Sequence, residues 1–160
     1  MGVLTEDMKR VVREQRLAFV ATVCPDGTTN VSPKGTIAVL DDERLAFIDL
    51  RSPGTIANLR ANPAVEVNVV DQVVRKGYRF KGRAEIVEEG PRLRELLAHY
   101  ETDGSGMYAE AGRRARAVVV VDVERAAPLV SPGYDWVDGE EEMRAHWLRY
   151  WRELEESRGR

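Results

Sequence analysis

With 160 residues, 43% hydrophobic and 32% charged, the chain has the make-up of one globular domain that can bury a core without staples. Its net charge of -3, with Arg interleaved among Glu and Asp, excludes the basic face that a nucleic-acid binder needs, and no apolar run approaches the ~20 residues of a membrane span. The single cysteine, Cys24, excludes an internal disulfide and a thiolate metal cluster; with a polar N-terminus lacking an apolar signal core, it leads us to expect a soluble, cytoplasmic protein.

Thr5 can cap a helix to about Gln15, with Glu6 and Asp7 in its first turn and Met8, Val11 and Val12 on one covering face. Leu17 to Cys24 is rich in β-formers and leads into Pro25-Asp26-Gly27-Thr28, where Pro presets φ and Gly takes φ > 0, so a hairpin is expected. The return strand, Thr29 to Leu40, contains Pro33 and Gly35, which break a ladder and mark a bulge or an exposed edge where backbone approaches a ligand. Asp41 to Arg44 turns the chain, and Leu45 to Leu50 is the next strand.

That strand delivers the chain to Arg51-Ser52-Pro53-Gly54-Thr55, the start of a short helix that Asn62-Pro63 stops. Ser52 suits the N-cap and Pro53 the first helical position. The expected result is an exposed helix start whose N–H groups, flanked by the Ser52 and Thr55 hydroxyls and the Arg51 guanidinium, can hold a phosphate monoester. A capped surface helix with no ligand is the plainer reading of the same residues.

Ala64 to Val74 alternates Val65, Val67 and Val69 with Glu66 and Asn68, and Tyr78 to Val87 alternates again with Gly82 as a bend. Pro91 opens a helix carrying Leu93, Leu96, Leu97 and Tyr100 at helical spacing. It ends before Asp103-Gly104-Ser105-Gly106, expected as a flexible loop because a dinucleotide fingerprint needs its glycines after a strand. Four consecutive valines in Ala115 to Val123 indicate a strand buried on both sides. Ala126 to Val137 reads as irregular. An amphipathic helix over about 139–157 closes the chain, capped by Asp138 and striped with Met143, Trp147, Tyr150, Trp151 and Leu154. The whole of 1–160 reads as one domain, mainly β with peripheral helices: six or seven antiparallel strands in a small Greek-key barrel with helices at its ends.

No nucleophile–base pattern is present. His99 and His146 each follow a glutamate, Glu95 and Glu142, by four residues, a commonplace of helix surfaces, and no metal site is expected. What remains is polar equipment near the opening helix. Asn30, Ser32 and Lys34 alternate on one strand and so point the same way, and Asp49 to Thr55 ends a nearby one. A flavin mononucleotide needs a cation and helix-end N–H groups for its phosphate, polar atoms for its ribityl chain and donors near its ring. Lys34 can serve the phosphate or the pyrimidine end of the ring; its plainer role is an edge-strand lysine that discourages aggregation.

The order Leu17-Ala-Phe-Val-Ala-Thr-Val, Pro25-Asp-Gly, Asn30-Val-Ser-Pro-Lys-Gly, Leu45-Ala-Phe-Ile-Asp, Thr55-Ile-Ala-Asn-Leu-Arg-Ala-Asn-Pro63 and Tyr78-Arg-Phe-Lys-Gly-Arg-Ala resembles the FMN-binding split β-barrel superfamily, the pyridoxamine 5'-phosphate oxidase-like proteins. The resemblance covers roughly Leu17 to Val123. It implies a homodimer with FMN sites at the interface, the strand Thr29 to Lys34 along the cofactor and the helix start by the phosphate. The candidate cofactor-binding residues are Asn30, Val31, Ser32, Lys34, Asp49, Arg51, Ser52 and Thr55. Gly54-Thr55 stands where the oxidase pattern has adjacent basic residues, and its C-terminal Trp and Arg-x-His-x-Arg signature is absent. The chain therefore looks closer to the small FMN-binding members than to the oxidase itself. The implied function is a flavin-dependent oxidoreductase acting on an unidentified small molecule. The alternative is a non-catalytic carrier or sensor for FMN, deazaflavin F420 or haem, since relatives use each of these.

Overall fold

A computed structural model describes residues 2–102 and 106–159. The strands are β1 (Ala18–Val23), β2 (Thr29–Lys34), β3 (Ala38–Val39), β4 (Arg44–Asp49), β5 (Ala64–Asp71), β6 (Lys76–Val87) and β7 (Ala117–Val130). The helices are α1 (Glu6–Gln15), α2 (Pro53–Ala61), α3 (Gly90–Thr102), α4 (Gly106–Arg113) and α5 (Gly139–Arg158). All strands join one antiparallel sheet in the order β2-β1-β5-β6-β7-β4-β3.

β2 and β3 stand at opposite edges of that order yet are linked by residues 35–37 alone, so the sheet must curl until its edges approach. This is the split barrel. It also revises the expected single strand Thr29 to Leu40. Pro33 has no N–H to extend a ladder, and at Gly35 the chain leaves one edge for the other, where the buried Thr36 hydroxyl accepts from the Ile48 N–H at 2.9 Å.

Local chemistry sets the remaining pieces. The β1–β2 turn closes through Cys24 N–H to Thr28 carbonyl at 2.8 Å, with Gly27 at φ 84°. Thr5 caps α1 by accepting from the Met8 N–H at 3.3 Å, and Val11 and Val12 from that helix bury into the barrel. Inside lie Val20, Phe47, Val67, Phe80, Val119 and Val121; a second core, with Ile48, Tyr100, Tyr108, Val118 and Val120, fills the space beneath α3 and α4. The β7 valines thus alternate between two cores, which is why the strand has no polar face there. Each such side chain contributes about 1.5–3 kcal/mol by leaving water.

Several boundaries differ from expectation. β5 stops at Asp71, whose carboxylate accepts from the Val73 and Val74 N–H groups and so makes a turn of residues expected as strand. β7 begins at Ala117 and runs on to Val130, through the first part of the passage read as irregular; a 3-10 helix, Pro132–Asp135, follows. Beyond Asp122 this strand pairs with β6 alone, and an edge tolerates Pro128. Asp103 to Ser105 lie outside the described residues, while Gly106 opens α4, which periodicity does not reveal. Asp138 precedes α5 without capping it by its side chain; the Glu142 carboxylate instead accepts from the Asp138 N–H.

The β5–β6 turn anchors α5. The Arg75 guanidinium stacks 3.5 Å from the Trp147 ring centroid, Tyr134 donates to the Val74 carbonyl at 2.6 Å, and Lys76 meets Glu140 at 3.3 Å. Replacing Arg75 by Ala should weaken this docking by about 1 kcal/mol. Tryptophan emission should shift to the red and proteolysis within α5 should accelerate. Unchanged emission and cleavage would show that the stack does not hold the helix.

Candidate functional site

The expected phosphate locus is where β2, the end of β4 and the start of α2 meet. Cross-strand pairing sets Lys34 opposite Ala18 and Ser32 opposite Val20, so these side chains share the inward face of β2. Lys34 is 5% exposed; its ammonium donates to Ser32 Oγ at 2.5 Å and to Ser52 Oγ at 2.7 Å. Burial pushes its pKa below the ordinary lysine range, and the charge of Asp49 works in the opposite direction. An aggregation-blocking edge lysine would stand in water, so the plainer reading of Lys34 fails.

Two corrections concern α2. Ser52 occupies its N-cap position, yet its hydroxyl caps nothing in the helix because it accepts from Lys34. The Ser52 N–H donates instead to Asp49 Oδ1 at 2.9 Å. Thr55, expected beside an exposed helix start, is 2% exposed, whereas Arg51, Pro53 and Gly54 are open to solvent. The first turn of α2 is thus left without a capping bond from its N-cap side chain.

The fold therefore brings together Ser32, Lys34, Asp49 and Ser52 of the expected set. Asn30 lies on the same face of β2, donating to Thr22 Oγ1 at 3.4 Å. Val31 points to the other face and is 60% exposed. Asn58 of α2 reaches the same Thr22 oxygen at 3.0 Å and Cys24 Sγ at 3.4 Å, which adds a buried polar strip next to the cluster. Sequence reasoning passes over Thr22 and Asn58. Cys24 pairs with Thr28, so the hairpin loop is residues 25–27 and Thr22 faces Asn30, one place from the register that a turn at 25–28 implies; Asn58 arrives through tertiary packing of α2 and has no local signal.

A buried ammonium, hydroxyls and an uncapped helix start form a donor set suited to a phosphate dianion. A cleft of about 300 Å³ bounded by α1, β6, β7 and α5 is not part of it, and Arg10, Lys76 and Arg144 there already meet carboxylates. Among the described residues no helix is long and apolar enough to cross a membrane.

An uncharacterised protein of Methanocaldococcus jannaschii is 33% identical over 93 residues, 57% of this chain and 61% of that one, so the match spans about three-fifths of the relative's length. Among solved structures, HupZ of Group A Streptococcus superposes with a TM-score of 0.68 at 31% identity, covering 80% of this chain and 95% of that one. An F420 reductase superposes at 0.55 with 26% identity over 78% and 98% of the two chains. The sequence profile of the pyridoxamine 5'-phosphate oxidase family matches residues 4–129, across every strand of the barrel except the last residue of β7. The chain belongs to the pyridoxamine 5'-phosphate oxidase family of split-barrel proteins, which includes FMN-binding and F420-binding members.

Proposed function

We propose that the protein binds FMN along β2 and at the start of α2, and acts as a flavin-dependent oxidoreductase on a small molecule. The observation that carries this reading is Lys34, a buried cation that donates to the Ser32 and Ser52 hydroxyls and lies over the Phe47 ring, beside a helix start whose N-cap side chain makes no capping bond. A cation so placed is costly in isolation and becomes favourable when a dianion arrives. Ser32 and Ser52 hold the ammonium in position, while the first-turn N–H groups of α2 add dipole-aligned donors. Asp49 orients the Ser52 backbone and limits the loss of charge on Lys34. Bound there, the flavin supplies two-electron transfer. Gly54-Thr55 stands where the oxidase pattern has adjacent basic residues, and that pattern's C-terminal Trp and Arg-x-His-x-Arg do not occur in the sequence, so a substrate other than pyridoxamine 5'-phosphate is inferred.

The absorption spectrum of the purified protein, followed by titration with FMN, riboflavin, F420 and haem, tests the cofactor. FMN is expected at about one per chain. Ser52→Ala should weaken FMN by about 1–2 kcal/mol, the loss for a hydrogen bond near a charged group, with riboflavin little changed. Preference for F420, favoured by the likeness to an F420 reductase, or for haem would overturn FMN while leaving the anion-binding cluster. Binding without turnover of any reductant would favour a carrier or sensor.

We also infer a homodimer. Trp136 is 74% exposed, and Tyr150 of α5 is exposed beside half-buried Trp147 and Trp151, more aromatic surface than one barrel covers. Light scattering should give twice the chain mass. A monomer with cofactor bound would rule out a site completed by a second copy.

A further inference from the structure

The inward face of the sheet changes character where β5 ends and β6 begins. Direct cross-strand partners share a face, so three rows follow one another across β5, β6 and β7: Val67-Phe80-Ala126, Val69-Tyr78-Pro128 and Asp71-Lys76-Val130. Val67, Val69 and Phe80 belong to the barrel core, whereas the last row brings charge onto the same face. Here β7 has lost β4 as a neighbour, and the face is overlain by α1 and the first turns of α5. The cleft of about 300 Å³ lies between them, with Asp7 and Arg10 on the α1 side and Glu140 and Arg144 on the α5 side.

The charges that line it cancel: Asp7, Asp71 and Glu140 stand against Arg10, Lys76 and Arg144. Asp7 and Arg10 are occupied, with each other at 2.7 Å and with Tyr78 and Glu14 respectively. The other four are not evenly matched. Lys76 is the direct cross-strand partner of Asp71, yet its ammonium lies over the Tyr134 ring and meets Glu140 at 3.3 Å. Asp71 Oδ1 accepts from the Val73 and Val74 N–H groups at 2.8 and 3.1 Å, and among the described residues Oδ2 has no partner. Arg144 meets Glu140 alone among them, at 3.6 Å, which is too long for a hydrogen bond, and Lys76 already claims that carboxylate. The cleft thus offers one unused carboxylate oxygen on the sheet and one unused guanidinium on α5, with Val11, Val74, Pro128 and Val130 as apolar lining.

We propose that this cleft binds an α-amino acid with an apolar side chain, its ammonium on Asp71 and its carboxylate on Arg144. A lining without net charge favours a ligand that is itself a zwitterion, because an anion or a cation alone leaves one of the two groups unmet. The arginine fork suits a carboxylate through paired N–H donors. The volume stands at the lower end of the range for ligand pockets, which fits a molecule of amino-acid size. By joining Asp71 of β5 to Arg144 of α5, the ligand also ties that helix to the sheet. The cleft shares no residue with the Lys34 cluster and stands whether or not the protein binds a flavin.

The purified full chain is titrated calorimetrically at low ionic strength with L-leucine and L-phenylalanine. It is titrated likewise with 3-methylbutylamine and 4-methylpentanoate, which keep the apolar group of leucine and carry one charge each. Binding of either amino acid is expected, with both single-charge analogues at least about tenfold weaker, the loss of one charged hydrogen-bond partner. Asp71→Asn, which keeps an oxygen for the turn N–H groups, and Arg144→Gln should each weaken amino-acid binding by about the same factor. Arg149→Gln, on α5 but outside the cleft, should bind like the wild type. Saturating amino acid should slow proteolysis within α5, and Arg144→Gln should abolish that protection. Failure of both amino acids to bind overturns the proposal. So does an analogue that binds as tightly as leucine, or binding that Arg144→Gln leaves unchanged.

Discussion

Lys34→Met should lower FMN affinity about a hundredfold, ~2.7 kcal/mol, and should leave the cofactor-free protein at least as stable as the wild type. The two halves of this expectation have one cause. Lys34 is 5% exposed and its pKa is depressed by burial, so the folded state disfavours the charged ammonium relative to the unfolded chain. A depressed lysine binds fewer protons folded than unfolded, so its cost is fully present below the folded pKa and is relieved as pH rises from there towards the ordinary lysine value. Methionine has similar length and no charge, so it removes that cost. Ser32 and Ser52 then lose a donor, but a hydroxyl can rotate to another partner. If FMN binds as proposed, the balance reverses, because its phosphate would meet the ammonium in a site of low dielectric. Fluorescence titration with FMN and riboflavin, beside melting of the free protein, separates the outcomes. A large loss for FMN with little for riboflavin places Lys34 at the phosphate. Equal losses place it at the ring, and no loss for either removes it from the cofactor site.

Part of this cluster is legible in the amino-acid sequence alone. Period-two alternation puts Asn30, Ser32 and Lys34 on one face of a strand, and the register of β1 with β2 keeps them there. For Ser52 the sequence indicates the right position and the wrong partner. The rule that a serine at this place caps its helix considers neighbours in sequence, whereas Lys34 comes from a strand on the far side of the turnings at β3 and β4. The burial of Thr55 escapes the same rule, since how deeply the first turn of α2 sinks is set by packing and not by capping residues. Pro33 and Gly35 do mark a break in the ladder. That the break carries the chain from one sheet edge to the other follows only from closure of the whole barrel. Helix α4 escapes periodicity because it is short and its buried residues, Tyr108 and Ala111, make too small a stripe to register as a period.

Gly82→Ala should be among the most damaging single substitutions, lowering stability by about 3 kcal/mol, roughly 6–12 °C in melting temperature. The strand register slips between Lys81 and Gly82, and there β6 approaches β7 so closely that a Cβ on Gly82 would lie 2.0 Å from the Asp122 carbonyl oxygen. The obstacle is backbone, so no rotamer change relieves it; either the strands separate or the bulge moves by one residue. Moving it would turn Lys81 and its neighbours to the other face, because the side-chain period is two. Gly112→Ala makes a control: its Cβ meets nothing within 4 Å in α4, and the gain in helix propensity should stabilise by about 0.5–1 kcal/mol. Melting of both variants without ligand gives the comparison. If Gly82→Ala melts with the wild type, β6 and β7 can part at little cost, and the register that opposes Lys81 to Arg125 has no anchor at this glycine.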